Sequence, residues 1–250
     1  RPMVMGEATI DTEVVVIGAG PGGYAAAFRA ADLGLDVTMI DVDERLGGVC
    51  LLRGCIPSKA LLHVTELLHD ARHAAEFGLE FGEPKVDIER IRQWKNQVID
   101  RLVKGLATLS KQRAVQVVQG RATFESSDRL RVRGNNTTHV RFKHAILATG
   151  SRAISLPGSN LEKSGRIMSS TGALALADIP ESLLVVGAGY VGMELGSVYA
   201  SLGSRVTVVE MRGEILPGAD RDLVRPLERR TAELFEAVRA AARGESFLQP

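Results

Sequence analysis

The 250-residue chain has two cysteines, Cys50 and Cys55, separated by four residues in the run LGGVCLLRGCIPSKALL. Thiols so placed can cycle between dithiol and disulfide. A Gly pair, Gly47 and Gly48, precedes them, and Pro57 follows at the start of a helix-forming run. Pro suits the first helical turn, where its missing N–H is no loss. Cys55 is therefore expected at or near a helix N-terminus, where the dipole and free N–H groups favour a thiolate. The bland alternative is a structural disulfide, but one pair is a poor staple for a chain this long. A zinc site needs about four ligands, and there is no second cysteine pair to complete one. The spacing points to redox chemistry.

Such a pair needs something to exchange electrons with, and an internal repeat supplies the candidate. EVVVIGAGPGGYAAAFRAADLGLDVTMID and SLLVVGAGYVGMELGSVYASLGSRVTVVE align at a constant offset of 169 residues. Gly18, Gly20 and Gly23 map onto Gly187, Gly189 and Gly192, and Asp41 maps onto Glu210. Each copy reads as a β-branched strand, a Gly-rich turn, an Ala- and Leu-rich helix, a Gly break and a second strand ending in an acid. That is the dinucleotide-binding fingerprint in its proper context. The first Gly permits the tight turn, the second lets the backbone approach a pyrophosphate, and the third lets helix and strand pack closely. The acid falls 23 residues after the first Gly in both copies, where it can accept hydrogen bonds from ribose hydroxyls. A carboxylate there repels a 2′-phosphate, so Glu210 favours NAD over NADP. With a redox pair beside the first copy, FAD is expected there and a nicotinamide at the second.

The intervening chain must position these motifs. Leu61, Val64, Leu68, Ala71 and Ala75 recur at helical spacing before a terminator at Gly78. Ile88, Ile91, Val98, Leu102, Leu106 and Leu109 mark a second helix. His63, His69 and His73 read as surface or half-buried residues and Trp94 as packing. Residues 114–148 alternate as short strands, with turns at Ser126-Ser127-Asp128 and Gly134-Asn135-Asn136. Val14–Ile17, Leu183–Val186 and Val206–Val209 are expected to be parallel strands buried on both faces. After GADRDLV the tail reads as one amphipathic helix, with Leu227, Leu234, Val238 and Ala241 on its apolar stripe.

The expected fold is α/β, and composition agrees with an ordinary globular protein. Hydrophobic residues make up 45% of the chain, and 31 basic residues against 30 acidic leave nothing to steer it towards nucleic acid. No apolar run approaches the roughly 18 residues of a membrane span, and residues 1–13 are not expected to act as a secretory leader. Thiol chemistry of this kind suits a cytoplasm.

Taken together, GAGPGG, LGGVCLLRGCIPSKALL, AILATGS, GAGYVGMELG and VTVVEM resemble the pyridine nucleotide-disulfide oxidoreductase family, and within it the dihydrolipoyl dehydrogenase branch. The resemblance runs from about Thr12 to Val224. It implies an FAD-binding Rossmann-like domain with a small β insertion over residues 1–153. The first part of an NAD-binding Rossmann-like domain would follow over 154–250, with the boundary between Ile154 and Pro180. Cys50 would be the thiol that exchanges with a dithiol substrate and Cys55 the one held against the flavin. Lys59 would lie near the flavin, paired with Glu194. Gly18, Gly20, Gly22, Gly23, Asp41 and Gly48 would line the FAD site, together with Ala148, Thr149 and Gly150. Gly120 and Ala122 would offer a backbone amide to the adenine part, and Gly187, Gly189, Gly192 and Glu210 would hold NAD.

The resemblance also implies oxidation of dihydrolipoyl groups, with the dihydrolipoyl domain of a 2-oxoacid dehydrogenase complex as partner and a homodimer as the family's usual assembly. It gives no role to nucleic acid, membrane or metal. The family continues well beyond this chain's length, through a dimerisation domain carrying a His–Glu acid–base pair. None of the five histidines here sits in that His-Pro context. A C-terminally truncated member is therefore expected, with little lipoamide turnover alone. Other disulfide or metal-ion reductases of the family, or a silent flavin-binding fragment, are the alternatives.

Overall fold

The computed structural model describes residues 8–154, 165–235 and 237–240. The chain divides into two compact units, Arg1–Ile56 with Gln97–Arg152, and Pro57–Asn96 with Ala153–Pro250. Part of the expected boundary between Ile154 and Pro180 lies outside the described residues. The helical segment after the redox pair is grouped with the second unit.

In the first unit β1 (Ala8–Ile17), α1 (Pro21–Asp32) and β2 (Val37–Asp41) form a parallel crossover, registered Val14↔Val37 to Ile17↔Ile40. Parallel strands cannot be joined by a hairpin, so α1 must cross one sheet face. There Ala27 and Ala30 pack with Val14, Val16 and Met39. Beyond them come β3 (Gln116–Gln119), β4 (Arg121–Phe124), β5 (Arg129–Arg133) and β6 (Thr137–Leu147), in the sheet order β3-β2-β1-β6-β5-β4. The turns between β4, β5 and β6 fall at the two polar clusters read from the sequence.

β3 and β4 are neighbours in sequence yet end up at opposite ends of that order. The chain passes between them at Gly120, with φ +152, a conformation only Gly adopts readily. The antiparallel strands then cover the second sheet face, where Leu130, Val132, Val140 and Phe142 pack on Val15 and Ile40. Helix on one side and meander on the other leave Val14, Val15 and Val16 buried, as a parallel strand requires.

The second unit repeats the crossover with β7 (Ser182–Val186), α6 (Tyr190–Ser201) and β8 (Arg205–Glu210). Its register, Leu183↔Val206 to Val186↔Val209, is the first copy's shifted by 169. Two contacts fix the short helix α5 (Ser170–Ala175). Tyr199 donates its hydroxyl to Ala173 O at 2.9 Å, and the buried Lys95 of α4 (Ile88–Gln112), the second helix expected after the redox pair, donates Nζ to Leu174 O at 2.6 Å.

Two expectations need correction here. The tail is not one helix. α7 (Arg221–Leu234) ends at Phe235, whose backbone is extended, and residues 237–240 form β9, parallel to β8 with Val208↔Val238. Val238 therefore belongs to a strand, and Ala241 lies outside the described residues. Phe235 is buried against the helix position at Gly196, where an added Cβ would come 3.2 Å from the ring. This seats the chain for return to the sheet. Nor is β7 buried on both faces. Leu184 and Val186 are 60% and 57% exposed, whereas the counterpart of Leu184, Val15, is 0% exposed under the meander. Among the described residues no such meander covers the second sheet.

Candidate active site

Both Gly-rich turns have the same construction. Gly18 and Gly187 share φ +107, and their N–H groups donate to Ile40 O and Val209 O at 2.7 and 2.8 Å. A Cβ on Gly23 would meet Gly18 O at 1.7 Å, and one on Gly192 would meet Gly187 O at 2.1 Å. These third glycines are thus required by helix–strand contact. Gly20 and Gly189 cap α1 and α6 without any side-chain hydrogen bond. The first-turn N–H groups of both helices are left for an anion, and the dipole favours one there. Around Gly189 a Cβ would meet nothing within 4 Å, and beside Gly20 only the Gly48 Cα at 3.8 Å. That clear space over backbone donors fits a pyrophosphate, so the residues present fit two dinucleotides.

The acids play a part that sequence reasoning missed. Asp41 accepts from Ala19 N–H at 2.5 Å and Asp43 N–H at 2.8 Å. Glu210 accepts from Ala188 N–H at 2.8 Å and Arg212 N–H at 2.9 Å. Each acid therefore ties its own turn to its own strand. A carboxylate has about four acceptor positions, which leaves capacity for a ribose. Burial alone would raise the Glu210 pKa. The N–H groups of Arg212, Ala188 and Met211, with the Arg212 charge, outweigh it and hold the carboxyl below its ordinary range.

In the first unit more backbone closes on the turn. A Cβ on Gly18 would lie 2.0 Å from Ala148 O, and Ala148 N–H donates to Ile17 O at 2.8 Å. The AILATGS segment is thereby pressed against the turn. Gly22 faces the Ala148 side chain, and Gly150 stands open at φ +71 just past Thr149. Gly120 donates its N–H to Asp41 O at 2.7 Å, and Ala122 sits in the edge strand β4 opposite Val132 with its side chain on the core.

The thiol loop is seated on this turn. Gly47, at φ +122, donates its N–H to Ala19 O at 2.9 Å. Gly48 presses on Gly20, since a Cβ there would lie 2.6 Å from the Gly20 Cα. From this contact α2 (Gly48–Arg53) starts and carries Cys50, and Cys55 opens α3 (Cys55–His73), as its place before Pro57 predicts. The two thiols are unbonded and share a hydrogen bond. Burial pushes the Cys50 thiol above its ordinary pKa, helped by the hydrogen bond with Cys55 and repulsion from it.

Farther along α3, Lys59 forms an ion pair with Glu194 of α6, within the second unit. The sequence motifs named both residues, and the structure brings them together. His63 stacks beside Trp94 with centroids 6.1 Å apart, and His69 beside His73 at 4.0 Å. His63 and His73 are exposed and His69 is half-buried along α3.

Two Gly-rich turns of the same build, with a thiol pair seated on the first, define a protein of two Rossmann-like units. The model of the pyridine nucleotide-disulphide oxidoreductase family matches residues 12–234, and the chain belongs to that family. It is 47% identical over 236 residues to dihydrolipoyl dehydrogenase 2 of Haloarcula marismortui, covering 93% of this chain and 49% of that protein. It is 48% identical over 227 residues to the dihydrolipoyl dehydrogenase of Vibrio cholerae, covering 90% and 48%. Among solved structures, the HOCl-induced flavoprotein disulfide reductase RclA from Escherichia coli, in its Cu(II) complex, superposes with a TM-score of 0.77. That pair is 27% identical over 91% of this chain and 48% of RclA. The chain thus spans about half the length of the curated relatives it matches. No helix among the described residues is long and apolar enough to cross a membrane.

Proposed function

We propose that this chain carries the dithiol-handling half of a flavin-dependent dihydrolipoyl dehydrogenase, with FAD at the first Gly turn and NAD at the second. The observation that carries this reading is the seating of the Cys50 loop on the FAD-type turn through Gly47–Ala19 and Gly48–Gly20. A redox couple held there has its electron acceptor as a neighbour. The relatives' 47–48% identity favours dihydrolipoyl groups over other disulfides as substrate. Bound flavin would supply acceptance of an electron pair from the thiols and its passage to the nicotinamide.

The chain's own residues do the exchange. With Cys50 and Cys55 oxidised, one thiolate of the dihydrolipoyl dithiol attacks Cys50 Sγ and displaces Cys55 Sγ as a thiolate. The second substrate thiolate then attacks the substrate sulfur of the mixed disulfide and releases Cys50 Sγ. The substrate leaves as a cyclic disulfide, and the protein has gained two electrons. The raised Cys50 pKa helps retain a proton on that sulfur once it is released. Asp41 and Glu210 orient the two nucleotides, and the Lys59–Glu194 pair keeps a cation at the position assigned to the flavin edge. The partner is the dihydrolipoyl domain of a 2-oxoacid dehydrogenase complex, and the working assembly is a cytoplasmic homodimer.

Anaerobic addition of dihydrolipoamide to the FAD-reconstituted chain tests this reading. The flavin absorbance should bleach, and should stay unbleached in Cys50→Ser. A wild-type chain that binds FAD yet never bleaches would defeat it.

A further inference from the structure

Arg53 lies between the two cysteines, as the last residue of α2. Its guanidinium forks onto Asp43, with Nη2 2.5 Å from Oδ2 and Nη1 3.4 Å from Oδ1, and both side chains are partly buried. Asp43 is itself anchored, since its N–H donates to Asp41 Oδ1 at 2.8 Å while Asp41 Oδ2 accepts from Ala19 N–H at 2.5 Å. A continuous polar chain therefore runs from the phosphate-binding turn through Ala19, Asp41, Asp43 and Arg53 into the thiol loop. The next residue, Gly54, folds tightly back on Cys50. A Cβ there would lie 3.0 Å from Val49 O and 3.3 Å from the Cys50 Cα. A cation in a last helical turn is ordinarily just favourable to the dipole. A forked pair with a fixed carboxylate constrains position as well as charge.

We infer that Arg53 is a positioning residue, whose fork on Asp43 ties the loop between the cysteines to the acid of the first dinucleotide turn and holds Cys55 against Cys50 for disulfide closure. This rests on the redox reading proposed above. Held apart by thermal motion, two thiols close less readily, because the effective concentration of one at the other falls. The pair therefore belongs to the thiol–disulfide equilibrium of the site, and not only to the stability of the fold.

The test is a redox titration of the purified chain in mixtures of reduced and oxidised dithiothreitol. Cys50 and Cys55 give two electrons and two protons to the cyclic disulfide of dithiothreitol, forming the protein disulfide and the reduced dithiol. Differential alkylation and mass spectrometry read the fraction closed, with circular dichroism confirming that each variant is folded. Arg53→Met and Asp43→Asn should each lower the closure constant by at least about threefold. The charge-swapped double variant Arg53→Asp with Asp43→Arg should recover to within roughly twofold of wild type. Wild-type closure unchanged in Arg53→Met, or a swap no better than either single variant, would overturn the inference alone. A folded wild-type chain that forms no Cys50–Cys55 disulfide in any mixture would overturn it together with the redox reading.

Discussion

Gly48 rests on Gly20, so close that a single methyl on the first would fall 2.6 Å from the Cα of the second. Through this contact the start of α2, which carries Cys50, is registered against the first Gly-rich turn. Because Gly48 also adopts φ +58, an L-residue there meets strain as well as a clash.

Gly48→Ala should therefore destabilise the chain by more than the roughly 1–2 kcal/mol that left-handed backbone alone costs, and should weaken FAD binding. Gly78→Ala is the matched comparison. Gly78 has φ +81 but open space around it, so only the strain applies. Urea unfolding of both variants checks this. Equal losses would show that Gly48 and Gly20 are not in firm contact.

The Lys59–Glu194 pair should contribute little to stability. The Lys59 side chain is 60% exposed, and an exposed pair is worth about 0–1 kcal/mol. A double-mutant cycle with Lys59→Met and Glu194→Gln should give a coupling no larger than that. A larger coupling would make the pair a structural clasp between α3 and α6.

Cys50 should alkylate slowly at neutral pH, because its folded pKa is raised. Its protonated form is favoured by folding, so the associated stability is complete below the ordinary thiol value and lost as pH rises through the folded one. Cys55→Ser removes the repulsion and the thiol partner, so the pH profile of Cys50 alkylation should move down. An upward movement would contradict the assigned causes.

For Glu210 the sign is opposite. Its folded pKa lies below 4.5, so its contribution is present above about that pH and lost as pH falls through the lowered value. Glu210→Ala should strip Ala188 and Arg212 N–H groups of their partner. It should lower stability near neutral pH by about 1 kcal/mol, with the difference from wild type shrinking on acidification. A difference that grows in acid would refute this.

Much of the site was legible because glycine and cysteine have few reasons to recur at fixed spacing. The 169-residue repeat predicted two parallel crossovers, and in the structure the same offset reaches further, with Gly47 and Leu216 donating to Ala19 O and Ala188 O. Leu216 even takes a positive φ, +48, to do so. What stayed hidden depended on tertiary competition. Nothing local distinguishes LFEAVRA as the end of a helix and the start of a strand. The difference comes from Phe235 burying against α6 and β9 pairing with β8. Likewise, Leu184 reads as a core residue, yet its burial depends on a covering layer that β4–β6 supply only to the first sheet. The backbone bonds of Asp41 and Glu210 were invisible because a ribose and a turn ask for the same carboxylate.

The most direct test of the account compares wild type with Cys50→Ser, both loaded with FAD and supplied anaerobically with NADH and lipoamide. NADH should bleach the flavin in both proteins, and only wild type should then form dihydrolipoamide, even if slowly. Dihydrolipoamide produced as readily by Cys50→Ser would contradict the claim that the thiol seated on the first dinucleotide turn is the one that meets the substrate.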